Sequence, residues 1–600
     1  MPVSALKKRP FLLYSGLLFL LSWLLYANTL SNKFAFDDKS LVVENRLVNE
    51  SYTISEVFST NYRYGSGFIG DGLYRPLVIL SFILNKTDSV HPFPFHLVNC
   101  TLNALNTILL FSLFMALTKN LSVSFLGSVI FAFHPIHTEA VANIAGRPEL
   151  LCMFFMLLSW ISTEYLKNSW ISYFSSGLFL FAALLSKETA VMLPFMVIAV
   201  DAVLKRPVLK RPLLSNYIVM VVIITLYFVI RLKALSSISL GFTPDFVDNP
   251  IAGSPAGERI ATAFSVFIRY IVLLLFPVRL SADYSYNQIP IEHSLIALLP
   301  ALGFFLLLGL IIAAVYSGRK NKIHVIGAVI FFFPYVLISN IVVPIGTIMG
   351  ERLLYVPSAG FSLVLGAALT SLIIRRKRMT IALVVILLSL YGARTITRNN
   401  AWTDDTTLFS TDLKNAPRST KVLCNMGFLT GGKTGEEYYR KALEVYPESD
   451  SALLGLGKNL YSQRRYDESA MYYERAARLY PDNARCHYDF GTVLDKLGRY
   501  DDAETELLTA IRLDPGNVKS YEAIGAVYIN NRHYVKSIFF LEKALSMGGN
   551  RQVLYNNLAA AHFLNGDTGK ALEYVTLAEK LGLPMNPEMV HTIKSAAGKQ

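Results

Sequence analysis

The sequence predicts an all-α protein in which a polytopic membrane domain of about eleven spanning helices precedes an α-solenoid. Of its 600 residues, 53% are hydrophobic and only 16% are charged. Many apolar stretches reach the roughly 20 residues that a helix needs to cross a bilayer. After about Arg394 charged residues become more frequent, and a 34-residue period begins. We therefore predict a membrane domain over 1–395 and a repeat domain over 396–600.

Basic residues beside the apolar segments predict the orientation. Lys7, Lys8 and Arg9 precede the first segment, so the positive-inside rule places the N-terminus in the cytoplasm. No small-residue cleavage site follows that segment, so we interpret it as a retained span and not as a signal peptide. The predicted spans are 11–30, 96–117, 121–133, 149–166, 171–185, 189–204, 214–230, 295–316, 323–343, 353–374 and 379–391.

The apolar segment 259–278 decides this count. If it crosses, the basic loops 319–322 and 375–378 lie outside; if it lies on the surface or re-enters, both are cytoplasmic. The second count is preferred, and it agrees with the basic loop 205–211 after the sixth span. It places the first loop, 31–95, and the repeat domain on the exoplasmic side, which is the ER lumen or the bacterial periplasm.

The net charge of +13 does not indicate a nucleic-acid partner, because many of the basic residues flank apolar segments. The four cysteines show neither a CxxC spacing nor a disulfide framework.

Two neighbouring acids, Asp37 and Asp38, follow the first span inside an aromatic run. Carboxylates at a membrane boundary are costly unless they are solvated, paired or used, so the pair is a candidate site; the alternative is a solvated loop. Further charged clusters fall at predicted exoplasmic segment ends, where charged residues also serve as plain anchors. These clusters contain Arg75, His134, His137, Glu139, Arg147, Lys187, Glu188, Glu351 and Arg352.

This set fits sugar transfer from a lipid phosphate carrier. Arg binds phosphate through its planar fork and Lys as a point charge. The candidates for holding the polyprenyl phosphate are Arg75, Arg147, Lys187 and Arg352. Asp37 or Asp38 could act as general base toward an attacking hydroxyl. The two carboxylates could also hold a divalent cation, joined by His134 and His137, although His-Pro-x-His does not resemble a helical zinc site.

The order of these motifs resembles the transmembrane and tetratricopeptide-repeat O-mannosyltransferases and, more distantly, the GT-C class of membrane glycosyltransferases. The resemblance implies inverting transfer of mannose from a dolichyl or other polyprenyl phosphate to Ser or Thr of a protein. It also implies that Asp37 and Asp38 take the catalytic acidic position, with Glu139 as a second acid. The chain has fewer repeats than the animal members, as a shorter bacterial relative would. The matching motifs are Phe36-Asp37-Asp38, Tyr74-Arg75-Pro76-Leu77, His134-Pro135-Ile136-His137-Thr138-Glu139-Ala140-Val141, Gly146-Arg147-Pro148-Glu149-Leu150-Leu151, Ser186-Lys187-Glu188 and Glu351-Arg352-Leu353-Leu354-Tyr355-Val356-Pro357-Ser358.

Small, aromatic and proline positions recur at 34 residues in the C-terminal half, which is typical of tetratricopeptide repeats. We predict four to five repeats whose concave surface binds the acceptor protein; the alternative is packing or dimerisation only. The recurring positions are Gly457, Gly491 and Gly525, then Tyr466, Tyr500 and Tyr534, then Ala476, Ala510 and Ala544, and Pro447, Pro481 and Pro515.

The prediction is therefore a membrane glycosyltransferase whose repeat domain presents an acceptor protein. Two alternatives stay open. One is a non-enzymatic, membrane-anchored repeat scaffold or assembly factor. The other is a transferase or ligase that acts on a lipid or glycan acceptor.

Overall fold

The computed structural model describes residues 8–50, 52–64, 72–87, 90–166, 170–210, 213–235 and 245–598. Within these ranges all regular structure is helical, which confirms the predicted all-α class. The chain divides into two compact units, Met1–Val422 and Leu423–Gln600. Lys7 and Arg211, which contributed to the predicted orientation, lie outside the described residues, as do the side chains of Lys8 and Arg9.

The N-terminal unit is built from helices that alternate with short helical turns. The helices are α1 (Lys8–Tyr26), α2 (Arg46–Asn49), α3 (Ile54–Phe58), α4 (Pro76–Asn85), α5 (Pro92–Thr118), α6 (Leu121–Phe133), α7 (Thr138–Val141), α8 (Arg147–Tyr165), α9 (Trp170–Ser186), α10 (Leu193–Val203), α11 (Leu213–Leu235), α12 (Ala256–Leu275), α13 (Leu298–Gly318), α14 (Lys322–Ile338), α15 (Pro357–Arg375), α16 (Lys377–Ala401) and α17 (Asp405–Asn415). The 3-10 turns are Ala27–Ser31, Pro135–His137, Ile144–Gly146, Glu188–Met192 and Glu351–Leu354, and Lys39–Val43 is a π-helical turn.

Seven helices among the described residues are long and apolar enough to cross a membrane. The bent pair Leu121–Phe133 and Pro135–Val141, with an angle of 52°, makes an eighth if it is one span. The helices α9 and α14 are apolar but have only 17 residues each. The N-terminal unit thus has the helices of a membrane protein, whereas the count of eleven spans and the orientation stay predictions. The seven are Pro10–Ser31, Pro92–Thr118, Ile144–Tyr165, Leu213–Leu235, Leu298–Gly318, Ser358–Arg375 and Lys377–Ala401.

The segment 259–278 lies almost entirely in α12, which is not among those seven helices. The helix α12 carries Glu258, Arg259 and Arg269 within its 20 residues. It buries one face that includes Phe267 and Tyr270. The three charged side chains are half-buried, whereas Val272 and Leu275 are exposed, so the outward side of α12 is apolar.

The predicted first loop contains the helices α2, α3 and α4. Pro76 begins α4, where its missing N–H costs nothing and its fixed φ favours a helix start. Val78, Ile79 and Phe82 bury one face of α4 against the membrane helices. This apolar face ties the loop to the rest of the unit and fixes Arg75 at its N-terminal end.

Glycines bring α15 close to its neighbours α6 and α14. A Cβ added at Gly366 would lie 2.7 Å from the backbone nitrogen of Gly127 in α6, and one at Gly360 would run into the carbonyl oxygen of Gly327 in α14. Small residues at such contacts are how helices pack where no water drives association. The turn Glu351–Leu354, which leads into α15, is positioned by this packing.

The C-terminal unit is an array of antiparallel helix pairs, as the 34-residue period predicted. Gly457, Gly491 and Gly525 each face a side chain of the second helix of their pair, and a Cβ at Gly491 would lie 2.7 Å from Leu507. The small residue therefore sets the spacing within each pair. The helices are α18 (Thr420–Thr430), which contains the division between the units, α19 (Gly432–Val445), α20 (Asp450–Ser462), α21 (Tyr466–Leu479), α22 (Ala484–Lys496), α23 (Tyr500–Leu513), α24 (Val518–Asn530), α25 (Tyr534–Ser546), α26 (Arg551–Leu564), α27 (Thr568–Lys580) and α28 (Pro587–Ala597).

Candidate active site

The two neighbouring acids have different surroundings. Asp38 is 1% exposed, and its two oxygens accept hydrogen bonds from the backbone N–H groups of Ala35 (3.1 Å) and Ala145 (2.8 Å). Burial raises the pKa of Asp38 to about 8, although both backbone hydrogen bonds act in the opposite direction. Asp38 therefore joins the loop around residues 35–38 to the turn that precedes α8.

Asp37 keeps a partly open side chain, 20% exposed, with Arg63 Nη2 at 3.7 Å from its Oδ1. Burial alone would raise its pKa, but the charges of Arg63, Arg352 and Lys421 hold the pKa of Asp37 below its ordinary value. Asp37 is thus an ionised carboxylate among cations, and solvent reaches it.

Glu139 and Arg352 form an ion pair that joins α7 to the turn before α15. Glu139 is 1% exposed and accepts two hydrogen bonds from Arg352, one from its backbone N–H (2.8 Å) and one from Nη1 (2.6 Å). The Arg352 side chain is 30% exposed. The guanidinium is therefore anchored to Glu139, while part of the Arg352 side chain remains exposed.

Arg352 also lies where several predicted clusters meet. Burial would lower its pKa, but the carboxylates of Glu139, Asp37 and Glu149 raise the pKa of Arg352, while Arg75 acts against them. Residues from four separate stretches of sequence thus share one electrostatic environment around a single guanidinium.

Two further ion pairs complete this cluster. Arg75 Nη2 donates to Glu188 Oε2 at 3.0 Å, and Lys187 pairs with Glu149 in a nearly buried contact. Burial would raise the pKa of Glu188, but Arg75 holds it below its ordinary value. The motif residues at 75, 149 and 187–188 are therefore held together as charged pairs.

Arg147 is placed differently from the other three candidate cations. It is fully buried, and among the described residues its guanidinium donates to neutral oxygens, including Asn99 Oδ1 (2.8 Å), Asn85 Oδ1 (2.5 Å) and the carbonyl of Phe95 (2.8 Å). It also lies over the Phe82 ring at 4.7 Å. These contacts make Arg147 a cross-link between α4, α5 and α8.

The two motif histidines are buried and engaged. His134 Nδ1 accepts from Ile136 N–H at 3.1 Å, and its Nε2 lies 2.9 Å from the carbonyl oxygen of Leu274. His137 Nε2 lies 2.7 Å from Ser358 Oγ. Neither ring nitrogen of His134 could bind a cation without losing a hydrogen bond. In the part of the chain that the structure describes, no three His, Cys, Asp or Glu side chains form a group that could hold a metal ion.

Glu351 precedes Arg352 in the sequence but has hydrogen-bond partners of its own. It is fully buried, and its Oε1 accepts from Ser281 N–H (2.6 Å) and Tyr284 O–H (2.7 Å). Burial raises the pKa of Glu351 to about 8, with Arg398 opposing and Glu139 adding to the effect. Its role is to hold the loop around residue 281 against the turn that carries Arg352.

The sequence reasoning missed Arg63 and Lys421, whose charges act on Asp37. Arg63 lies between two tyrosines in the first loop, with no helix end to mark it. Lys421 lies beyond the predicted membrane domain, where a basic residue is unremarkable on a repeat surface. In the sequence, the tyrosine on each side of Arg63 is the one feature that could have marked it as a candidate.

Comparison with known proteins bears on what this cluster does. Protein O-mannosyl-transferase TMTC3 of Homo sapiens is 29% identical over 490 residues, which cover 74% of this chain and 53% of that protein. The human TMTC1 is 27% identical over 73% of this chain and 55% of its own length, and the human TMTC4 is 28% identical over 67% and 62%. The chain resembles the protein O-mannosyl-transferases. This confirms the resemblance predicted from the motifs, and the chain spans little more than half the length of these relatives.

Family models of the tetratricopeptide repeat match residues 434–484 and 460–526. Among solved structures, the MamA protein is 21% identical and covers 27% of this chain and 90% of its own, with a TM-score of 0.25. The family matches confirm that the C-terminal part carries tetratricopeptide repeats.

Proposed function

We propose that the protein transfers mannose from a polyprenyl phosphate, dolichyl phosphate in a eukaryote, to Ser or Thr hydroxyls of an acceptor protein. The observation that carries the proposal is the ionised, partly exposed Asp37 among the charges of Arg63, Arg352 and Lys421. The resemblance to protein O-mannosyl-transferases supports the sugar, and the repeats support a protein acceptor. The active site and the repeats then face the exoplasmic side, and the N-terminus faces the cytoplasm.

Asp37 is the general base in this proposal. The acceptor oxygen forms a bond to the anomeric carbon while the bond from that carbon to the phosphate oxygen breaks. The hydroxyl proton goes to Asp37, and the electron pair leaves with the polyprenyl phosphate, so the configuration inverts. Because a bound phosphate offsets the cations that lower the pKa of Asp37, donor binding makes this carboxylate more basic.

Arg352 and Arg75 are the proposed phosphate ligands, with Lys187 beside them. A guanidinium carries five N–H donors, and the bond from the side chain of Arg352 to Glu139 uses Nη1. Glu139 and Glu188 then orient the two guanidinium groups through charge-assisted hydrogen bonds. We assign Arg147 a supporting role, because it is fully buried among neutral acceptors. His134, His137 and Glu351 support the same turns.

The adjacent acids allow a matched test. Asp37→Asn removes the base but leaves a side chain of the same shape at a partly exposed position, so we expect mannosyl transfer to fall by about 10²–10⁴-fold with little change in thermal stability. Asp38→Asn places an NH₂ group against one of two backbone N–H donors, so we expect lower stability instead.

The measurement is transfer of labelled mannose from polyprenyl phosphate mannose to acceptor protein by purified protein in lipid, alongside thermal unfolding of each variant. Full activity of Asp37→Asn would refute its role as base. Label that appears in lipid or glycan and not in protein would refute the acceptor class.

A further inference from the structure

A strained backbone turn lies directly before the proposed base. Phe36 has φ of 55°, in the left-handed region that bulky side chains rarely adopt. Such a conformation persists only where surrounding contacts hold it, and it recurs at functional sites. Two hydrogen bonds between Ala35 and Asp38 close this turn, and contacts from outside residues 34–38 act on Phe36 and its neighbours.

Asp405, the first residue of α17, makes those contacts. Its Oδ1 accepts a hydrogen bond from the backbone N–H of Phe36 at 2.7 Å, and its Oδ2 pairs with the Lys39 ammonium. One carboxylate thus holds the chain on both sides of Asp37. The Phe36 ring also packs edge-on against Phe409 of α17, with centroids 5.7 Å apart.

The start of α17 does not need Asp405 as a cap. Asp404 is the N-cap, and its Oδ1 accepts from Thr407 N–H at 3.0 Å and from the Thr407 hydroxyl at 2.8 Å. The other contact of Asp404 is with Lys33, whose side chain is 73% exposed. The two adjacent acids thus have different roles: Asp404 caps the start of α17, and Asp405 contacts the loop that carries Asp37 and Asp38.

We propose that Asp405 is a positioning residue for Asp37, and this inference rests on the proposed function. It holds Phe36 at positive φ and so fixes where the Asp37 carboxylate meets the acceptor hydroxyl. Asp405 contacts neither donor nor acceptor. Its loss therefore changes the rate of the chemical step and leaves donor binding as it was.

Three variants test this. Asp405→Ala should lower kcat for mannosyl transfer about 100-fold, the cost of displacing a reacting group by about 1 Å, with donor KM changed less than about twofold. Asp405→Asn keeps an oxygen for Phe36 N–H but removes the charge that pairs with Lys39. Its kcat should therefore fall less, by about tenfold. Asp404→Asn is the matched control, because Asn caps a helix as well as Asp does.

A second-site change separates positioning from plain folding stability. Asn adopts positive φ more readily than Phe, so Phe36→Asn should restore about tenfold of the kcat lost in Asp405→Ala. A residue that only stabilised α17 would not be rescued by a change at Phe36.

The outcomes are distinct. If the wild type is active, each of three results would overturn the positioning role alone. They are an unchanged kcat in Asp405→Ala, an equal loss of kcat in Asp404→Asn, and no rescue by Phe36→Asn. A wild type that transfers no mannose from the polyprenyl donor would overturn the proposed function and this inference with it. Should Asp405→Ala fail to fold, Asp405→Asn decides, because full kcat in that variant contradicts the inference.

Discussion

Glu351→Gln should change how the stability of the protein depends on pH. Glu351 is fully buried, and its Oε1 already accepts two hydrogen bonds, from Ser281 and Tyr284. Gln has the shape of the protonated acid: its carbonyl oxygen keeps both bonds, and its NH₂ group takes the place of Oε2. The substitution therefore removes a titration with little change in packing.

The size of the effect follows from the raised pKa of Glu351. The folded protein raises that pKa from 4.5 to about 8, mainly through burial. The folded state therefore binds a proton more tightly than the unfolded state, so this group's contribution to stability is fully present below about pH 4.5 and is lost as pH rises toward 8. At 1.36 kcal/mol per pH unit, the loss is at most about 5 kcal/mol.

Thermal unfolding of purified protein from pH 5 to pH 8 measures this. Near pH 5 both proteins carry a neutral group at 351 and should unfold at similar temperatures; at pH 8 Glu351→Gln should be the more stable. Asp38, whose pKa is also raised to about 8, adds a slope of the same sign that both proteins keep. Glu44→Gln, at an exposed carboxylate, is the control and should follow wild type. Parallel pH profiles of wild type and Glu351→Gln would refute the reasoning.

Two other substitutions test the site and the packing beneath it. Glu139→Gln loses one of the two hydrogen bonds that orient Arg352. Because a hydrogen bond to a charged group is worth about 1.5–3 kcal/mol, donor KM should rise about 10-fold or more in the transfer assay. An unchanged KM would contradict a phosphate role for Arg352. Gly360→Ala would push a methyl group into the carbonyl of Gly327 and should cost about 1–3 kcal/mol in unfolding. Gly309→Ala, inside α13 with open space around it, should stabilise by up to about 1 kcal/mol through helix propensity. Equal stabilities of the two variants would contradict the close contact of α14 and α15.

The helical architecture could be predicted because its signals are local. The length of an apolar run, the 34-residue spacing of Gly457, Gly491 and Gly525, and a proline at a helix start each depend on neighbours in sequence. Helix length was less predictable. The segment 171–185 matches α9 within one residue at each end, whereas the predicted segment 323–343 runs five residues beyond the end of α14 at Ile338, because apolar composition alone does not fix where a helix ends.

The sequence by itself determined the helical class, the repeats and the motifs that carry the charged residues. Only the tertiary structure decided how those residues are used. Glu139 and Arg352 are 213 positions apart and meet because α15 packs against α6 and α14. Asp37 and Asp38 are identical in chemistry and adjacent in sequence, yet one is open and held ionised while the other is sealed against two backbone donors. The reason is physical: a carboxylate's charge state and reach depend on burial and on partners that the fold brings from distant parts of the chain.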